Sequence, residues 1–216
     1  MPRDFLLMYA VHDAIRRDLV RIVGVLGGSR PVDAVRTAAL AERWDYLAGV
    51  ILRHHADEDA RLWPAARRVL DEDGRRMLDR LEEQHAVVEV AVAETTARLT
   101  DLAAGGAAAP TPAQREAAAD AAERVLRLLD AHFAAEEDRV LPMLAGRLDD
   151  GGWAGYDSIV RAAAGSGGTA SVLPWLLDDA PPARVGAVLD PLPDHVRASY
   201  AAEWKQAYRQ RVAAAW

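Results

Sequence analysis

Two segments of this chain carry the same arrangement of histidine, glutamate and proline. In the first segment, His54 is followed by Glu58 four residues later and by a proline ten residues later. In the second, His132 is followed by Glu136 and by another proline at the same intervals. Residues four apart on a helix lie on one face, one turn apart, so each segment presents an imidazole and a carboxylate together. Two such faces meeting inside a helical bundle predict a metal-binding site.

The elements that must position these groups are helices. Four long stretches show apolar residues at alternating spacings of three and four, which is typical of helices with one buried face. Strand-like alternation of apolar and polar residues is hard to find in the chain. The sequence therefore predicts an all-α fold, an antiparallel up-down four-helix bundle. We expect the bundle to occupy residues 1–149 and a C-terminal helical extension to occupy residues 150–216.

Helix ends are marked by local signals. Thr111 precedes a proline and lies three residues before Gln114, which predicts a helix start closed by a capping box. The proline of each repeated segment, Pro64 or Pro142, is expected to bend or end its helix. The acidic stretch from Asp71 to Gly74 is expected to form a turn.

Each predicted helix of the bundle places one histidine on its apolar face, and two glutamates lie on the same faces. An unpaired buried carboxylate costs several kcal/mol, so carboxylates that face inward require protons or cations. A shared cluster of divalent ions satisfies all of these groups at once. Glu89 follows the third histidine by one turn and is either a further ligand or a residue at the boundary paired with an arginine. The predicted metal ligands are His12, His54, Glu58, His85, Glu89, His132 and Glu136.

Other polar residues near these positions have simpler interpretations. His55 lies about 100° of helix rotation away from the apolar face and is not expected to be a ligand. His195 lies outside the bundle and is expected to be structural. Asp59 and Glu137 are expected to face solvent, although Glu137 competes with Glu136 for the inward direction.

The type of metal follows from the type of ligand. Imidazole and carboxylate without thiolate suit iron, manganese or zinc, and the chain has no cysteine. One structural zinc uses only four ligands, whereas two octahedral ions bridged by Glu58 and Glu136 use the whole set. Iron is favoured because histidine-rich ligation leaves positions open for oxygen chemistry, and manganese accepts the same ligands. Ferritin-like ligation requires Glu-x-x-His twice, and only Glu82 with His85 offers it.

Composition excludes several classes of function. The formal net charge of −7 and the absence of a lysine- or arginine-rich run argue against a nucleic-acid partner. The lack of cysteine excludes disulfides, cysteine nucleophiles and iron–sulfur clusters. No stretch approaches the roughly 20 apolar residues that cross a bilayer, and the N-terminus lacks the apolar core of a secretion signal. We therefore expect a soluble, cytoplasmic protein without a membrane partner.

From Asp4 to Leu148 the chain resembles the hemerythrin family, specifically bacterial, actinobacterial-type domains that bind cations through His-His-Glu. The resemblance rests on the ordered histidines and glutamates named above. It implies a non-haem di-iron centre with bridging carboxylates and a position for dioxygen. Carried to this chain, it implies one iron at His12 and His54, the other at His85 and His132, and bridges from Glu58 and Glu136.

The chain departs from the oxygen-carrying members of that family in two ways. Glu89 stands where they have a second histidine, and the last carboxylate follows its histidine by four residues instead of five, as in a sensor-like subgroup. An anionic ligand favours ferric iron, so reversible oxygen carriage is not expected. The resemblance instead implies binding of dioxygen, peroxide or nitric oxide for sensing, buffering or reduction. The alternatives are an oxidase or oxygenase acting on a small substrate bound between bundle and extension, and metal handling without redox turnover.

Overall fold

A computed structural model describes residues 5–30, 32–105, 108–148 and 168–216. These residues are largely helical, and they include no strand. In the first part of the chain the helices are α1 (Leu6–Gly27), α2 (Ala34–Asp57), α3 (Trp63–Val69), α4 (Glu72–Ala104), α5 (Pro112–Ala135) and α6 (Leu141–Leu144). In the extension they are α7 (Gly168–Leu176), α8 (Pro182–Leu189), α9 (Asp194–Ser199) and α10 (Lys205–Val212).

The four long helices form a closed ring, in which α1 packs against α2 and α5, and α4 packs against the same two helices. Buried apolar side chains such as Leu19, Trp44, Leu81 and Leu129 fill the centre of this ring. Each comes from an apolar face with a spacing of three and four, so the predicted all-α bundle is confirmed. None of the described helices combines the length and the apolarity that a membrane crossing requires.

A widened, π-helical turn follows α2 and another follows α5. These turns span Glu58–Leu62 and Glu136–Val140, and their i→i−5 hydrogen bonds run from Trp63 N–H to Glu58 O and from Leu141 N–H to Glu136 O. After each of these turns the chain remains helical through its proline, as α3 with Pro64 and as α6 with Pro142. Pro64 was expected to bend or end its helix, and the second of these two outcomes is wrong, because the helix does not end there. Proline removes one helical donor and crowds the preceding turn, and the widened turn accommodates both effects.

Side chains cap the starts of α2, α4 and α5, and Asp33 caps the first of these by accepting from Arg36 N–H at 2.8 Å. Thr111 Oγ1 accepts a hydrogen bond from Gln114 N–H at 3.3 Å, and Gln114 Oε1 accepts one from Thr111 N–H at 2.9 Å. The predicted capping box is thus confirmed. Asp71 accepts a hydrogen bond from Gly74 N–H at 2.9 Å and caps α4. The acidic stretch that begins there starts a helix, contrary to the predicted turn, because its carboxylates favour the positive end of the helix dipole.

The extension packs on α1, and its buried apolar side chains belong to the same hydrophobic cluster as those of the bundle. Trp175 Nε1 donates a hydrogen bond to the buried Asp18 carboxylate at 2.9 Å, and Arg17 Nη1 donates one to Asp178 O at 2.7 Å. The helix predicted from Asp194 to Val212 is present as α9, a π-helical turn and α10. The predicted boundary between residues 149 and 150 lies outside the described residues.

Candidate metal centre

The ends of the bundle helices bring six of the seven predicted ligands together. The first half of α1 and of α4 and the last turn of α2 and of α5 each supply a histidine, and each π-helical turn begins with a glutamate. Because all of these groups meet in one layer, successive long helices must run in opposite directions. All six side chains are buried: His12, His54, Glu58, His85, His132 and Glu136.

These side chains divide into two groups that could each hold one metal ion. Within each group, one ligand atom from every residue lies within 4.8 Å of the others. Glu58 belongs to both groups. The first group consists of His12, His54, Glu58 and Glu136, and the second consists of His55, Glu58, His85 and His132.

The two glutamates each direct one oxygen towards each group. Glu58 Oε1 lies 3.4 Å from His54 Nε2, and Glu58 Oε2 lies 3.5 Å from His85 Nε2. Glu136 Oε1 lies 3.1 Å from His132 Nε2, and Glu136 Oε2 lies 3.4 Å from His12 Nε2. A carboxylate whose two oxygens face two different sets of imidazoles has the geometry of a bridging ligand.

The structure adds His55 to the cluster, although the sequence argument left it out. Its side chain is buried, its Nε2 has no hydrogen-bond partner among the described residues, and its ring stacks on that of His85 with centroids 4.0 Å apart. His54 and His55 are consecutive and lie about 100° apart on the last turn of α2. Since α2 packs between two neighbouring helices of the ring, side chains on either side of its inner face, such as His54 and His55, both reach the interior. The two consecutive histidines are the feature of the sequence that could have indicated a role for His55 in the cluster.

The structure does not bring Glu89 to the cluster. Its side chain is exposed, and it belongs to neither group. A residue four positions after His85 is rotated by about 40° beyond it. His85 already lies at the margin of the buried face, with its side chain 7% exposed. The additional rotation therefore carries Glu89 into solvent.

Three of the clustered histidines have a hydrogen-bond partner on the side that faces away from the cluster. Their Nδ1 atoms lie 2.7 Å from Glu137 Oε1 for His12, 2.9 Å from Asp59 Oδ1 for His85, and 3.0 Å from Gln84 Oε1 for His132. Asp59 was expected to face solvent, and its side chain is 42% exposed, although it also accepts from His85. Glu137 was expected to face solvent as well, but its side chain is only 20% exposed and contacts His12. Such outer partners fix the tautomer with hydrogen on Nδ1 and leave Nε2 free for a metal.

This choice of tautomer leaves lone pairs facing each other. His85 Nε2 and His132 Nε2 lie 3.2 Å apart, and both Nδ1 atoms donate to outer oxygens. Two neutral imidazoles in this state cannot form a hydrogen bond with each other, because neither Nε2 carries a hydrogen. Either an additional proton or a cation must lie between them. His12 Nε2 and His54 Nε2 make a similar contact at 3.0 Å.

The buried carboxylates respond to opposite influences. Burial, with the nearby charge of Glu136, raises the pKa of Glu58 well above its usual value. Burial alone would also raise the pKa of Glu136, but the nearby imidazoles of His132, His12 and His54 lower it to about 2. No oxygen of either carboxylate has a hydrogen bond of good geometry from the described residues. Buried oxygens in this condition require a proton or a cation.

Burial favours the neutral form, which is the form that binds metals, in three imidazoles of the cluster. Burial lowers the pKa of His54 and of His55 well below the usual value, and nearby histidines add to the effect. Burial and His132 also lower the pKa of His85, against the opposing influence of Asp59. Since a protonated imidazole cannot ligate, these environments favour metal binding near neutral pH. The donor set of imidazoles and carboxylates without thiolate fits iron, manganese or zinc.

A model of the hemerythrin HHE cation-binding domain matches residues 5–144 of the chain. The match covers the four long helices and every residue of the two groups. Neither the curated proteins nor the solved structures contain a match to the chain.

Proposed function

This chain belongs to the hemerythrin HHE cation-binding family, and on that basis we propose that it holds a non-haem di-iron centre that binds dioxygen or a related small oxidant. The candidate oxidants are dioxygen, peroxide and nitric oxide. The proposed role of the protein is to sense, buffer or reduce them. Iron supplies the redox chemistry when it is bound, and manganese is the metal that these ligands accept as an alternative.

The observation that carries this proposal is the bridging geometry of Glu58 and Glu136. Each carboxylate divides its oxygens between the two groups, at 3.1 to 3.5 Å from the imidazole nitrogens. One zinc ion in a tetrahedral site would leave three of the seven clustered residues unused. Two ions held by these residues would use all seven and would offset the charge of both buried carboxylates.

The surrounding residues hold the ligands in place and exclude water. Phe133 stacks on the ring of His12, with centroids 3.9 Å apart and planes 9° apart. Glu137, Asp59 and Gln84 orient their histidines through Nδ1. Ligands fixed in this way need little rearrangement when metal binds, which favours affinity.

The exposure of Glu89 removes one argument about the redox potential. An anionic ligand at that position would favour ferric iron, but Glu89 lies outside both groups. The third imidazole beside His85 and His132 comes from His55 on α2, and not from the position of Glu89 on α4. The proposal therefore rests on the ligand set and not on a lowered potential.

An oxidase or oxygenase would need its substrate beside the metals. A cavity of about 250 Å³ does lie between α1 and the extension. Its lining includes Ala10, Asp13 and Arg184 but none of the clustered histidines or glutamates. A molecule seated in this cavity would not touch the candidate ligands, so the cavity favours a binding role over a site of oxidation.

The proposal is tested by anaerobic titration of metal-free protein with ferrous iron, followed by addition of each oxidant. We expect uptake of about two iron ions per chain, as two bridged octahedral sites require, and oxidation of that iron by at least one of the three oxidants, seen in the Mössbauer spectrum. Glu58→Gln should reduce uptake, and the matched variant Glu89→Gln should not. Uptake of a single ion, or a preference for one zinc ion, would overturn the di-iron assignment. Two irons that react with none of the oxidants would indicate metal handling alone.

A further inference from the structure

The cavity between α1 and the C-terminal extension has features of a ligand site. It has a volume of about 250 Å³ and is lined on the α1 side by the buried alanines Ala10 and Ala14 and on the extension side by Leu176, Pro181 and Arg184. Asp13, Arg17, Asp178 and Asp179 complete the charged part of the lining, and the alanines with Leu176 and Pro181 leave room for a compact apolar group. The arginine supplies the polar contact that sites of this kind use to orient a ligand.

Arg184 has unused hydrogen-bonding capacity. Its Nη2 pairs with Asp13 Oδ2 at 3.0 Å, while its Nη1 is buried without a hydrogen-bond partner among the described residues. A buried guanidinium nitrogen without an acceptor is unfavourable. A planar acceptor with two oxygens, such as a carboxylate, matches the two terminal nitrogens of a guanidinium.

The other charges around the cavity already have partners. Arg17 donates to Asp18 through Nε and Nη2 and to Asp178 O through Nη1. Arg21 pairs with the carboxylates of Asp178 and Asp179. Asp13 pairs with Arg184, and its side chain is 54% exposed and can turn towards solvent. Asp179 is 66% exposed and pairs with Arg21. An incoming anion at Arg184 therefore competes directly with Asp13.

We propose that this cavity binds a small monocarboxylate. Its carboxylate pairs with the Arg184 guanidinium, including the nitrogen that lacks a partner, and displaces Asp13. Its apolar body packs against Ala10, Ala14 and Leu176. A single negative charge suffices to pair with Arg184, and the carboxylates of Asp178 and Asp179, which also line the cavity, disfavour a second one.

Binding at this site reaches the candidate metal centre through a chain of ion pairs. Asp13 Oδ1 lies 3.8 Å from Arg16 Nη1, and the same Arg16 nitrogen donates to Glu137 Oε1 at 2.8 Å. Glu137 Oε1 in turn accepts from His12 Nδ1 at 2.7 Å. Displacement of Asp13 from Arg184 leaves Asp13 free to strengthen its pair with Arg16. This coupling, unlike the binding itself, rests on the proposed di-iron function.

Binding is tested by calorimetric titration of the metal-free full chain with benzoate, and with benzamide as a neutral ligand of similar shape. Metal-free protein is used so that benzoate cannot bind to iron. We expect benzoate to bind at least about tenfold more tightly than benzamide, as a charge-assisted pair requires. Arg184→Gln should weaken benzoate binding by a similar factor, whereas Arg184→Lys should retain part of it.

Arg127→Gln is the matched control, because Arg127 pairs with Glu123 on an exposed helix face. It should bind benzoate as the unaltered chain does. Thermal melts of all three variants identify any loss of binding that comes from unfolding. The proposal is overturned if benzoate fails to bind the unaltered chain, or if folded Arg184→Gln binds it as tightly as Arg127→Gln does.

The coupling is tested on iron-loaded protein by the Mössbauer spectrum with and without benzoate. We expect benzoate to alter the signal of one iron in the unaltered chain and to leave the spectrum of Arg16→Gln unchanged. Binding to metal-free protein without any spectral change in the loaded chain keeps the ligand site and removes the coupling. If the chain takes up no iron, the calorimetric result still decides whether the cavity binds a carboxylate.

Discussion

At the scale of single residues, three side chains outside the cluster decide how its histidines can act. Glu137, Asp59 and Gln84 each accept a hydrogen bond from a histidine Nδ1, so Nε2 is the nitrogen that faces the other ligands. Burial disfavours the charged form of each group, which is the protonated imidazole of a histidine and the deprotonated carboxylate of a glutamate. The residue types were readable from the sequence, but their pairing was not, because each pair joins two different helices.

The role of His55 is tested by comparing two histidine variants. His55 belongs to the group with His85 and His132, whereas His195 is exposed on the extension. His55→Ala should lower iron content from about two ions per chain towards one, because it removes an imidazole from one group only. Metal analysis of purified, reconstituted protein measures this. His195→Ala should retain full content, and equal content in both variants would exclude His55 as a ligand.

Glu58 should destabilise the metal-free protein. Its pKa is raised by burial and by Glu136, and a carboxyl group whose folded pKa lies above its unfolded value stabilises the fold at low pH and loses that contribution as pH rises. Metal-free Glu58→Gln should therefore melt at a higher temperature than the unaltered chain, by roughly 2–4 °C for each kcal/mol. The difference should grow from acid to neutral pH.

Melting curves of both proteins across that pH range measure the effect. The same substitution should lower iron uptake, because it removes a carboxylate that faces both groups. A metal-free Glu58→Gln protein that melts lower at neutral pH would contradict this account of the buried charge.

At the scale of elements, helix starts follow local rules and the two prolines do not. Thr111 and Gln114 form their capping box within one turn, so four residues of sequence suffice to predict it. Pro64 does not end its helix, because the chain shifts to i→i−5 hydrogen bonding from Glu58 onwards. That shift repeats at Glu136 before Pro142. The widened turns start at the two glutamates of the cluster, as is frequent for π-helical turns at functional sites.

The capping box gives a prediction at this scale. Thr111→Ala removes the oxygen that accepts a hydrogen bond from Gln114 N–H, and should lower the free energy of unfolding by about 1 kcal/mol. Chemical denaturation measures the change. Iron content should remain the same, because the cap lies at the end of α5 opposite to His132. A loss of iron in this variant would mean that the start of α5 influences the cluster.

At the scale of the whole molecule, a buried carboxylate joins the bundle to the extension. Asp18 accepts hydrogen bonds from Arg17 Nη2 at 2.8 Å, Arg43 Nη2 at 2.8 Å and Trp175 Nε1 at 2.9 Å. These three partners belong to α1, α2 and α7. Arg43 also lies over the ring of Tyr208, 5.7 Å from its centroid. The apolar side chains around this network form one cluster with the core of the bundle, so the two regions should unfold together.

Asp18→Asn tests this connection. It leaves the buried guanidinium of Arg43 without its carboxylate, which should destabilise the fold by about 3–5 kcal/mol. Denaturation followed by tryptophan fluorescence and by circular dichroism measures the loss, with coincident transitions expected from one cooperative unit. Glu123→Gln breaks an exposed pair and should change stability by less than about 1 kcal/mol. Equal effects of the two variants would show that the network contributes little.

The pattern of residue types along the chain was enough to predict the all-α bundle and six of the clustered residues. A spacing of three and four fixes which helix face is buried, and a histidine or glutamate on that face has to enter the core. The family resemblance rests on the same ordered residues, and the match over residues 5–144 confirms it.

Three features could not be predicted from that pattern: His55 enters the cluster, Glu89 lies in solvent, and Asp59 and Glu137 accept from clustered histidines. These residues lie at the margins of the buried faces, where helix rotations of about 40–100° separate inside from outside. At a margin, the exposure of a side chain depends on where the neighbouring helix lies. That position is set by the packing of the whole ring, and no local pattern in the chain encodes it.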